Sequence, residues 1–420
     1  EDARFMASRA TAANGSEPGL CKTATAILAY GLIGATSGLV TCPASVRSHW
    51  RDQIEEVHGH TRGWDIISYD GARIDSHRAV LKSKYDVFIP DEVHFCKTCD
   101  SQRTHAIFGK NGLAKRAQQA IWPLSGTMSP NGRPVELWPM LRSLHPGFKD
   151  MKFATYALKY CGMYFDGREM NVKGASNVDE LALLLRDFMI RRTEREVFPD
   201  RLAPLVSAVP LELSPAALQY VNSIEDEIGG REARISSSYE KYSQLGDSAR
   251  LLRALGMAMA PQTAEFVLDK LETVDKALVF FKHTDVGHQL YREFSAAGLQ
   301  PTVLQGGMND VQKDAAKQKF RDDPACRVFL GQVQAAGTGV DGLQEVCSTA
   351  VFAEPDWTPG ETEQRVRRLA RTGQKQALVK AYVLYARATL SAVVVKVHDF
   401  KETRRERLEN PWKNALGSFA

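Results

Sequence analysis

Short apolar runs alternate with amphipathic stretches in both halves of the chain. In the first half, the runs predicted to form strands are Gly38–Ser45, which ends in a turn, Trp64–Tyr69, Tyr85–Ile89 and Ala120–Thr127. In the second half they are Ala277–Phe281, Thr302–Leu304, Arg327–Leu330, Thr349–Phe352 and Val379–Leu384. Strands that alternate with helices over such lengths are typical of parallel sheets with helices on both faces. The pattern therefore predicts an α/β protein with a parallel sheet in each half.

Longer stretches with helical spacing of apolar residues surround these runs. Residues 1–14, 145–200 and 212–275 are predicted to be mostly helical, and Ile235–Ser238 is predicted to be flexible. Gln364–Gln374 is predicted to be a basic helix-like segment, and Lys401–Arg407 a charged, solvated helix. The helical stretches that separate the two strand-rich halves predict helical insertions between two sheets.

Length and composition limit the class of protein. The chain has 420 residues, which suggests two or three domains of ordinary size. Its 44% hydrophobic and 25% charged residues are typical of a soluble globular protein. The apolar runs are shorter than the roughly 18 residues that a membrane span needs. The net charge of +4 permits local nucleic-acid-binding patches without arguing for them. The start at Glu1, without Met, suggests a trimmed or processed end.

The odd number of cysteines, seven, favours a reduced intracellular compartment. Cys42, Cys326 and Cys347 lie in or beside apolar runs. Cys96 and Cys99 have the spacing of a metal-ligand or redox pair, but a zinc site needs another pair and the sequence has no second CxxC. Reduced surface thiols are therefore expected at this pair, with a metal site as the alternative.

An acidic pair, Asp91 and Glu92, follows the predicted strand Tyr85–Ile89 and precedes His94. Carboxylates at the end of a buried strand are costly without a partner. A cation is the usual solution, because an Asp can hold Mg²⁺ through water and a neighbouring Glu can orient a water for attack on phosphorus. Taken alone, however, an acidic turn after a strand explains these residues at least as well.

A glycine-containing loop before a predicted helix ends in Gly19-Leu20-Cys21-Lys22-Thr23. Backbone N–H groups at a helix N-terminus favour phosphate, a Lys adds a positive charge, and a Thr hydroxyl can reach Mg²⁺. The general pattern of such loops is not met, because Ser16 and Cys21 stand at its two glycine positions. On these residues alone, a nucleotide loop and an ordinary turn before a helix both remain open.

These motifs occur in a fixed order along the chain. The loop and the acidic pair are followed by Ser125-Gly126-Thr127, by Gly337-Thr338-Gly339, and by Gln364 with Arg368, Arg371 and Gln374 at set spacings. In this order they resemble the Swi/Snf-type branch of superfamily 2 helicase-like ATPases, from about Phe5 to about Val397. Asn131–Trp138, Phe188–Arg192, Trp357–Gly360 and Arg371–Gln374 make the chain most similar to the compact annealing-helicase (HARP-type) proteins and their phage and bacterial relatives.

The resemblance implies two tandem RecA-like lobes, each a parallel sheet with flanking helices, plus helical insertions between them. The boundaries expected are 1–145 for lobe 1, 146–210 for its helical extension, 211–270 for a helical segment, 271–400 for lobe 2 and 401–420 for a tail. It also implies ATP and Mg²⁺ as cofactors. In lobe 1, Gly19, Leu20, Cys21, Lys22 and Thr23 would bind phosphates, Thr23 and Asp91 would hold Mg²⁺, and Glu92 would position the attacking water. His94, Ser125, Thr127, Pro43 and Ser45 would couple the nucleotide to DNA.

In lobe 2 the resemblance implies DNA contact by Gly306 and by the loop that carries Thr338, together with nucleotide contact by Gly339, Asp341 and Gln364. Arg368 and Arg371 would face lobe 1 and stabilise charge on the transferred phosphoryl group, as an arginine finger does. The neighbouring Arg365 and Arg367 are expected at the surface or facing DNA.

The function that the resemblance implies is a DNA-dependent ATPase that translocates on, remodels or anneals duplex or branched DNA. Expected partners are double-stranded or branched DNA and replication or repair proteins, without a membrane, and the chain is expected to be an intracellular monomer. Its location would be the cytoplasm of a bacterial host if phage or bacterial, or the nucleus if eukaryotic. The alternative is a pseudo-ATPase that binds DNA or a protein partner without turnover, because Cys21 and Ser16 depart from the family's phosphate loop. Met128 and Val93 are further departures that look tolerable.

Overall fold

The computed structural model describes residues 1–73, 83–165, 167, 169–227, 248–333, 335, 342–356, 359–371, 373–387 and 389–396. It divides the chain into a first unit, Glu1–Pro199, and a second unit that begins at Asp200. Each unit is built on a parallel sheet, as the sequence pattern predicted. Within the described residues, no helix is both long and apolar enough to span a membrane.

The first unit contains eight short strands in its described residues. They are β1 Ala13–Asn14, β2 Gly38–Cys42, β3 Trp64–Ser68, β4 Tyr85–Pro90, β5 Ala117–Ile121, β6 Tyr164–Phe165, β7 Met170–Asn171 and β8 Met189–Ile190. Its α-helices are α1 Asp2–Ala7, α2 Lys22–Leu32, α3 Arg47–His58, α4 Gln102–Phe108, α5 Trp138–Leu144, α6 Phe153–Tyr160, α7 Val178–Leu185 and α8 Glu194–Val197.

The sheet of the first unit has the order β3-β2-β4-β5, and all of its pairs are parallel. Parallel bridges from Ile121 to Thr11 and from Leu124 to Asn14 attach the parallel pair β1–β8 beside it. Leu124 also bridges to Asp91. Residues just past β5 therefore lie between the end of β1 and the end of β4, which brings three predicted motifs to one edge of the sheet.

Alternate residues of the central strands face separate cores, because successive side chains of a strand point to opposite faces. Leu39 and Phe88 pack in one core with α4, α5, α6 and α7. Val40 and Ile89 pack in the other with α1, α2 and α3. At the opposite end of β4, the Asp86 carboxylate accepts hydrogen bonds from the Thr36 N–H and hydroxyl and from the Ser37 N–H, at 2.7 to 3.0 Å. These bonds lower the pKa of Asp86 and fasten β4 to the turn before β2.

The second unit contains six strands in its described residues. They are β9 Leu205–Leu211, β10 Ala277–Phe281, β11 Thr302–Leu304, β12 Val328–Gln332, β13 Thr349–Phe352 and β14 Lys380–Ala386. The helices are α9 Pro215–Glu227, α10 Ser248–Leu271, α11 Thr284–Ala296, α12 Asp310–Asp322 and α13 Pro359–Leu369. The parallel sheet has the order β11-β12-β10-β13-β14-β9. Val279 and Phe281 face a core with α9, α10 and α11, and Leu278 and Phe280 face a core with α12 and α13.

Several predicted elements are wrong or displaced. Residues 1–14 are not one helix, because the chain leaves α1 and enters β1. Residues 145–200, predicted helical, include the antiparallel hairpin β6–β7 and the short strand β8. Strand β9 was missed, and it pairs along its whole length with β14, so residues 205–210 belong to the second sheet and not to an extension of lobe 1. Ile235–Ser238 and Lys401–Arg407 lie outside the described residues.

Candidate nucleotide site

The predicted phosphate loop connects β1 to the first residue of α2, Lys22. Gly19 has φ +86°, and no described atom would lie within 4 Å of a Cβ placed there. Cys21 has φ 53° and ψ 37°, the left-handed conformation that glycine adopts at least cost, and its side chain is exposed. Cys21 therefore keeps the backbone shape that a glycine would give, at the cost of some strain. Leu20 lies between the left-handed residues Gly19 and Cys21, and Thr23 is partly exposed in the first turn of α2.

The Lys22 ammonium is held inside the loop. It donates to the carbonyl oxygens of Ser16 at 2.8 Å and Glu17 at 3.1 Å. Burial lowers the pKa of Lys22, and the negative charges of Glu92 and Asp91 oppose that shift. The two carboxylates and the ammonium thus lie close enough to interact through their charges.

Asp91 follows the last residue of β4 and is held from several sides. Its Oδ2 accepts a hydrogen bond from Trp50 Nε1 at 2.8 Å, and its Oδ1 accepts one from the Glu92 N–H at 2.9 Å. Its backbone carbonyl accepts one from the Tyr69 hydroxyl at 2.7 Å. Burial and the Glu92 charge raise the pKa of Asp91 to about 6, although Trp50 and Lys22 act in the opposite direction. A carboxylate in this state gains from a nearby cation.

Glu92, His94 and Ser125 form a hydrogen-bonded cluster beside Asp91. His94 Nδ1 lies 2.9 Å from Ser125 Oγ and 3.2 Å from Glu92 Oε2, and Ser125 Oγ donates to Glu92 Oε2 at 3.3 Å. Ser125 Oγ also accepts the Thr127 N–H at 3.1 Å. Glu92 has φ 53°, a left-handed conformation that a non-glycine residue adopts only where its surroundings impose it.

Gly126 allows this cluster to reach the phosphate loop. A Cβ at Gly126 would lie 2.8 Å from Pro18 Cγ, which is closer than real Cβ contacts come. Ser125 and Thr127 are buried at 0% and 2% exposure, so the segment is packed rather than loose. The structure therefore brings the predicted loop, the acidic pair and the Ser-Gly-Thr segment together, while the chemical role of each residue stays a prediction.

Two further predicted residues of the first unit follow β2. Pro43 is partly exposed and precedes a short 3-10 turn, Ala44–Val46, that leads into α3. Ser45 lies in that turn, and its side chain is outside what the structure describes. Both residues are at the carboxyl end of a parallel strand, where such sheets bind ligands.

Only part of the predicted lobe 2 site lies within the described residues. Gly306 is exposed after β11, and its N–H donates to Gln332 Oε1 at 2.8 Å. Gln364 and Arg368 are partly buried on α13, and Arg371 is partly buried just beyond it. The loop residues Gly337, Thr338, Gly339 and Asp341 lie outside the described residues.

The expectation of Arg365 at the surface or facing DNA is wrong. Arg365 is 6% exposed, and its guanidinium lies 2.8 Å from Glu361 Oε2 and 3.7 Å from Asp356 Oδ2. Arg367 is partly buried and donates to Glu363 Oε1 at 2.8 Å. Each arginine pairs with a glutamate four residues earlier on α13, and i,i+4 spacing places such pairs on the same helix face. The sequence interpretation considered the basic residues alone and overlooked these glutamates.

The sequence interpretation missed Trp50 and Tyr69, which reach Asp91 from α3 and from the segment after β3. It also missed a pocket of about 490 Å³ in the second unit, next to the start of α11. The pocket is lined by Arg253, Lys282, His283, Thr284, Asp285 and His288. The sequence contained a signal for this pocket, because Lys282-His283-Thr284 directly follows β10, at the carboxyl end of a parallel strand. Glu354 holds this turn by accepting the N–H groups of Lys282 at 2.7 Å and His283 at 3.1 Å.

All seven cysteines lie in the described part of the chain and are free thiols. Cys96 is buried rather than at the surface, and burial raises its pKa to about 12. Cys99 is partly buried. Within the described residues, no group of three or more His, Cys, Asp or Glu side chains is arranged to hold a metal ion. The alternative of a metal site at Cys96 and Cys99 therefore gains no support.

Known proteins are similar to this chain over most of its length. Residues 262–373 match the family model of the helicase conserved C-terminal domain. The chain is 28% identical over 409 residues to the DNA annealing helicase and endonuclease ZRANB3 of Mus musculus. This alignment covers 90% of the chain and 37% of the mouse protein. It is 27% identical over 380 residues to the SWI/SNF-related matrix-associated actin-dependent regulator of chromatin subfamily A-like protein 1 homolog of Caenorhabditis elegans, covering 82% and 52%.

A solved structure, the Sulfolobus solfataricus SWI2/SNF2 ATPase core in complex with dsDNA, aligns over 97% of this chain and 91% of that chain, with 18% identity and a TM-score of 0.42. The chain spans 37% and 52% of the length of the two curated relatives. Both are animal proteins, so the expected phage or bacterial origin gains no support. The predicted resemblance itself is confirmed: the chain contains a helicase conserved C-terminal domain and is homologous to the annealing helicases of the Swi/Snf type.

Proposed function

We propose that the chain is a DNA-dependent ATPase that couples ATP hydrolysis to movement on, or remodelling and annealing of, duplex or branched DNA. The observation that carries the proposal is that the phosphate loop and the acidic pair lie at one edge of the first sheet, where Leu124 bridges to both Asn14 and Asp91 and where the charges of Asp91 and Glu92 act on Lys22. The names of the relatives, a DNA annealing helicase among them, support DNA as the substrate.

In this proposal the loop and Lys22 bind the β- and γ-phosphates of ATP. The N-terminus of α2 offers backbone N–H groups and the positive end of the helix dipole. The Lys22 ammonium, now bonded to the carbonyls of Ser16 and Glu17, exchanges those neutral acceptors for charged phosphate oxygens. Charge-assisted hydrogen bonds are stronger than neutral ones, so the exchange favours the nucleotide.

The donor set near Asp91 fits Mg²⁺, which prefers oxygen ligands and keeps several of its waters. Each Asp91 oxygen accepts one hydrogen bond and retains a further lone pair, and the Thr23 hydroxyl is at the start of α2. Mg²⁺, when bound, supplies charge neutralisation for the phosphates. Glu92, whose carboxylate is fixed by His94 and Ser125, orients the attacking water.

The same cluster supplies a route from DNA to the nucleotide. Ser125 Oγ joins the Glu92 carboxylate to the backbone of Thr127, so a shift of this segment changes the position of the water-orienting group. We propose that DNA bound near Pro43, Ser45 and Thr127 acts on Glu92 through Ser125 and His94.

The second unit would supply the remaining groups. Arg368 and Arg371 would stabilise negative charge on the transferred phosphoryl group, with Gln364, Gly339 and Asp341 at the nucleotide. Gly306, Thr338 and the basic pocket beside α11 would contact DNA phosphates. Because phosphate contacts dominate such binding, we expect affinity for DNA to fall steeply with salt and to depend little on sequence.

We also propose that the chain is monomeric, that its partners include replication or repair proteins, and that it is located in the nucleus. These proposals follow from the kinship with animal annealing helicases and from the role in DNA remodelling proposed above.

The test is ATP hydrolysis with Mg²⁺, with and without forked duplex DNA. We expect turnover that DNA stimulates, that Lys22→Ala abolishes and that Lys115→Ala, at an exposed lysine of the same unit, leaves unchanged. Equal turnover in the parent and in Lys22→Ala would refute the proposal.

The alternative, a pseudo-ATPase, is favoured by one observation, the strained left-handed backbone of Cys21. The departure at Ser16 gives less support to this alternative, because Ser16 has a structural role in the loop. Its hydroxyl accepts the Arg192 N–H at 3.1 Å, and its carbonyl accepts a hydrogen bond from Lys22. A silent parent that still binds ATP and DNA would establish this alternative.

A further inference from the structure

The segment that follows β8 lies along the phosphate loop. The parallel pairing of β1 with β8 continues beyond both strands, because Gly15 N–H donates to the Ile190 carbonyl at 2.8 Å and Glu17 N–H to the Arg192 carbonyl at 2.9 Å. In return, the Arg192 N–H donates to Ser16 Oγ at 3.1 Å. The backbone from Gly15 to Glu17 is therefore bonded on one side to a segment about 175 positions later in the chain.

Arg191 adds a buried cation to this contact. Its side chain is 6% exposed, its Nη1 donates to the Gly15 carbonyl at 2.7 Å, and its Nη2 lies 4.0 Å from Glu17 Oε1. Glu17 Oε2 in turn accepts the Glu194 N–H at 2.7 Å. Removing this guanidinium is costly, because the buried Gly15 carbonyl would lose a charge-assisted hydrogen bond.

Two of these loop residues, Ser16 and Glu17, also hold Lys22. Lys22 bonds to the carbonyls of Ser16 and Glu17, while Arg191 bonds to the carbonyl of Gly15. The Arg191 charge also reaches Lys22, whose pKa it helps to lower. The loop is thus held between two cations, Lys22 and Arg191.

We propose that Arg191 is a positioning residue for nucleotide binding, which fixes the Gly15–Glu17 backbone so that Lys22 and the start of α2 face the phosphates. The inference rests on the proposed ATPase function. Without Arg191, the loop would have to become ordered when ATP binds, and this cost would be the same in the ground state and in the transition state. Loss of Arg191 should therefore raise the KM for ATP and leave kcat nearly unchanged.

The experiment compares Arg191→Gln with Arg195→Gln in the full chain. Arg195 is an exposed arginine only a few residues away and controls for loss of one positive charge in the same segment. We expect Arg191→Gln to raise the KM for ATP about tenfold or more with kcat within about threefold, and Arg195→Gln to change neither. Arg191→Lys, which keeps the charge but not the planar fork, should recover only part of the loss.

Hydrogen exchange of the nucleotide-free protein gives a second readout that does not depend on activity. In Arg191→Gln, amides of residues 14–23 should exchange about tenfold faster than in the parent, while those of β2 should not change. Faster exchange without any ATP turnover in the parent would support the inference and refute the proposed function. An unchanged KM for ATP, or unchanged exchange in the loop, would overturn the inference, and so would equal acceleration in the loop and in β2, which would indicate general unfolding.

Discussion

Replacing Cys21 by glycine tests the conformation of the phosphate loop directly. Cys21 has φ 53° and ψ 37°, and a left-handed backbone costs a residue with a Cβ about 1–2 kcal/mol. Glycine removes that cost but adds about 0.4–1 kcal/mol of unfolded-state entropy. The exposed thiol buries little area, so these two effects decide the sign. We expect Cys21→Gly to be about 0.5–1 kcal/mol more stable than the parent.

Cys21→Ala is the matched control, because it removes the thiol and keeps the Cβ. Its stability should lie within about 0.5 kcal/mol of the parent. Urea unfolding followed by tryptophan fluorescence suits the measurement, since Trp50, Trp64, Trp122 and Trp138 all lie in the first unit. Fitting that transition alone avoids treating two units as one two-state system.

The reasoning would be refuted if Cys21→Gly proved less stable than Cys21→Ala, since residue 21 could not then be left-handed in solution. Turnover gives an independent result. Because the Cys21 backbone already has the shape that glycine favours, kcat of Cys21→Gly should lie within about threefold of the parent. A silent parent that Cys21→Gly activates would instead identify the loop as defective and support the pseudo-ATPase alternative.

Three further predictions concern other contacts of the two units. Because the pKa of Asp86 is lowered in the folded state, its charge stabilises the fold at pH values above its ordinary pKa of 3.8, and this contribution is lost as the pH falls through the lower folded pKa. Asp86→Asn should therefore cost about 1 kcal/mol at pH 7 and nothing in acid. An equal cost at both pH values in urea unfolding would contradict this prediction. Arg365→Leu should destabilise the second unit by about 2 kcal/mol in thermal unfolding, because Arg365 is buried and pairs with both Asp356 and Glu361. Arg367→Ala should cost less than about 1 kcal/mol, because the less buried Arg367 pairs with Glu363 alone among the pairs described here. The reverse order would count against this reasoning. Ser125→Ala should reduce DNA-stimulated ATP turnover about tenfold more than basal turnover, and an equal loss of both would argue against Ser125 as the coupling group.

The sequence by itself determined the architecture and the order of the motifs. Ala277–Phe281 is apolar throughout, and Tyr85–Ile89 is apolar except for Asp86, as expected of strands that are largely buried on both faces. Spacing alone placed Lys22 at the start of a helix and Asp91 at the end of a strand, since both positions follow from where the periodic pattern begins and ends.

Only the tertiary structure decided which distant residues meet. Leu124 bridges to both Asn14 and Asp91, and Arg191 reaches the carbonyl of Gly15, yet no local pattern records such pairings. Strand β9 was missed for the same reason, because its partner β14 lies at the far end of the second unit. Arg365 looked like one basic residue among several until the fold buried it beside Asp356. Periodicity reports which face of an element is apolar, whereas the partner of a side chain depends on how the elements pack, and that is a property of the whole chain.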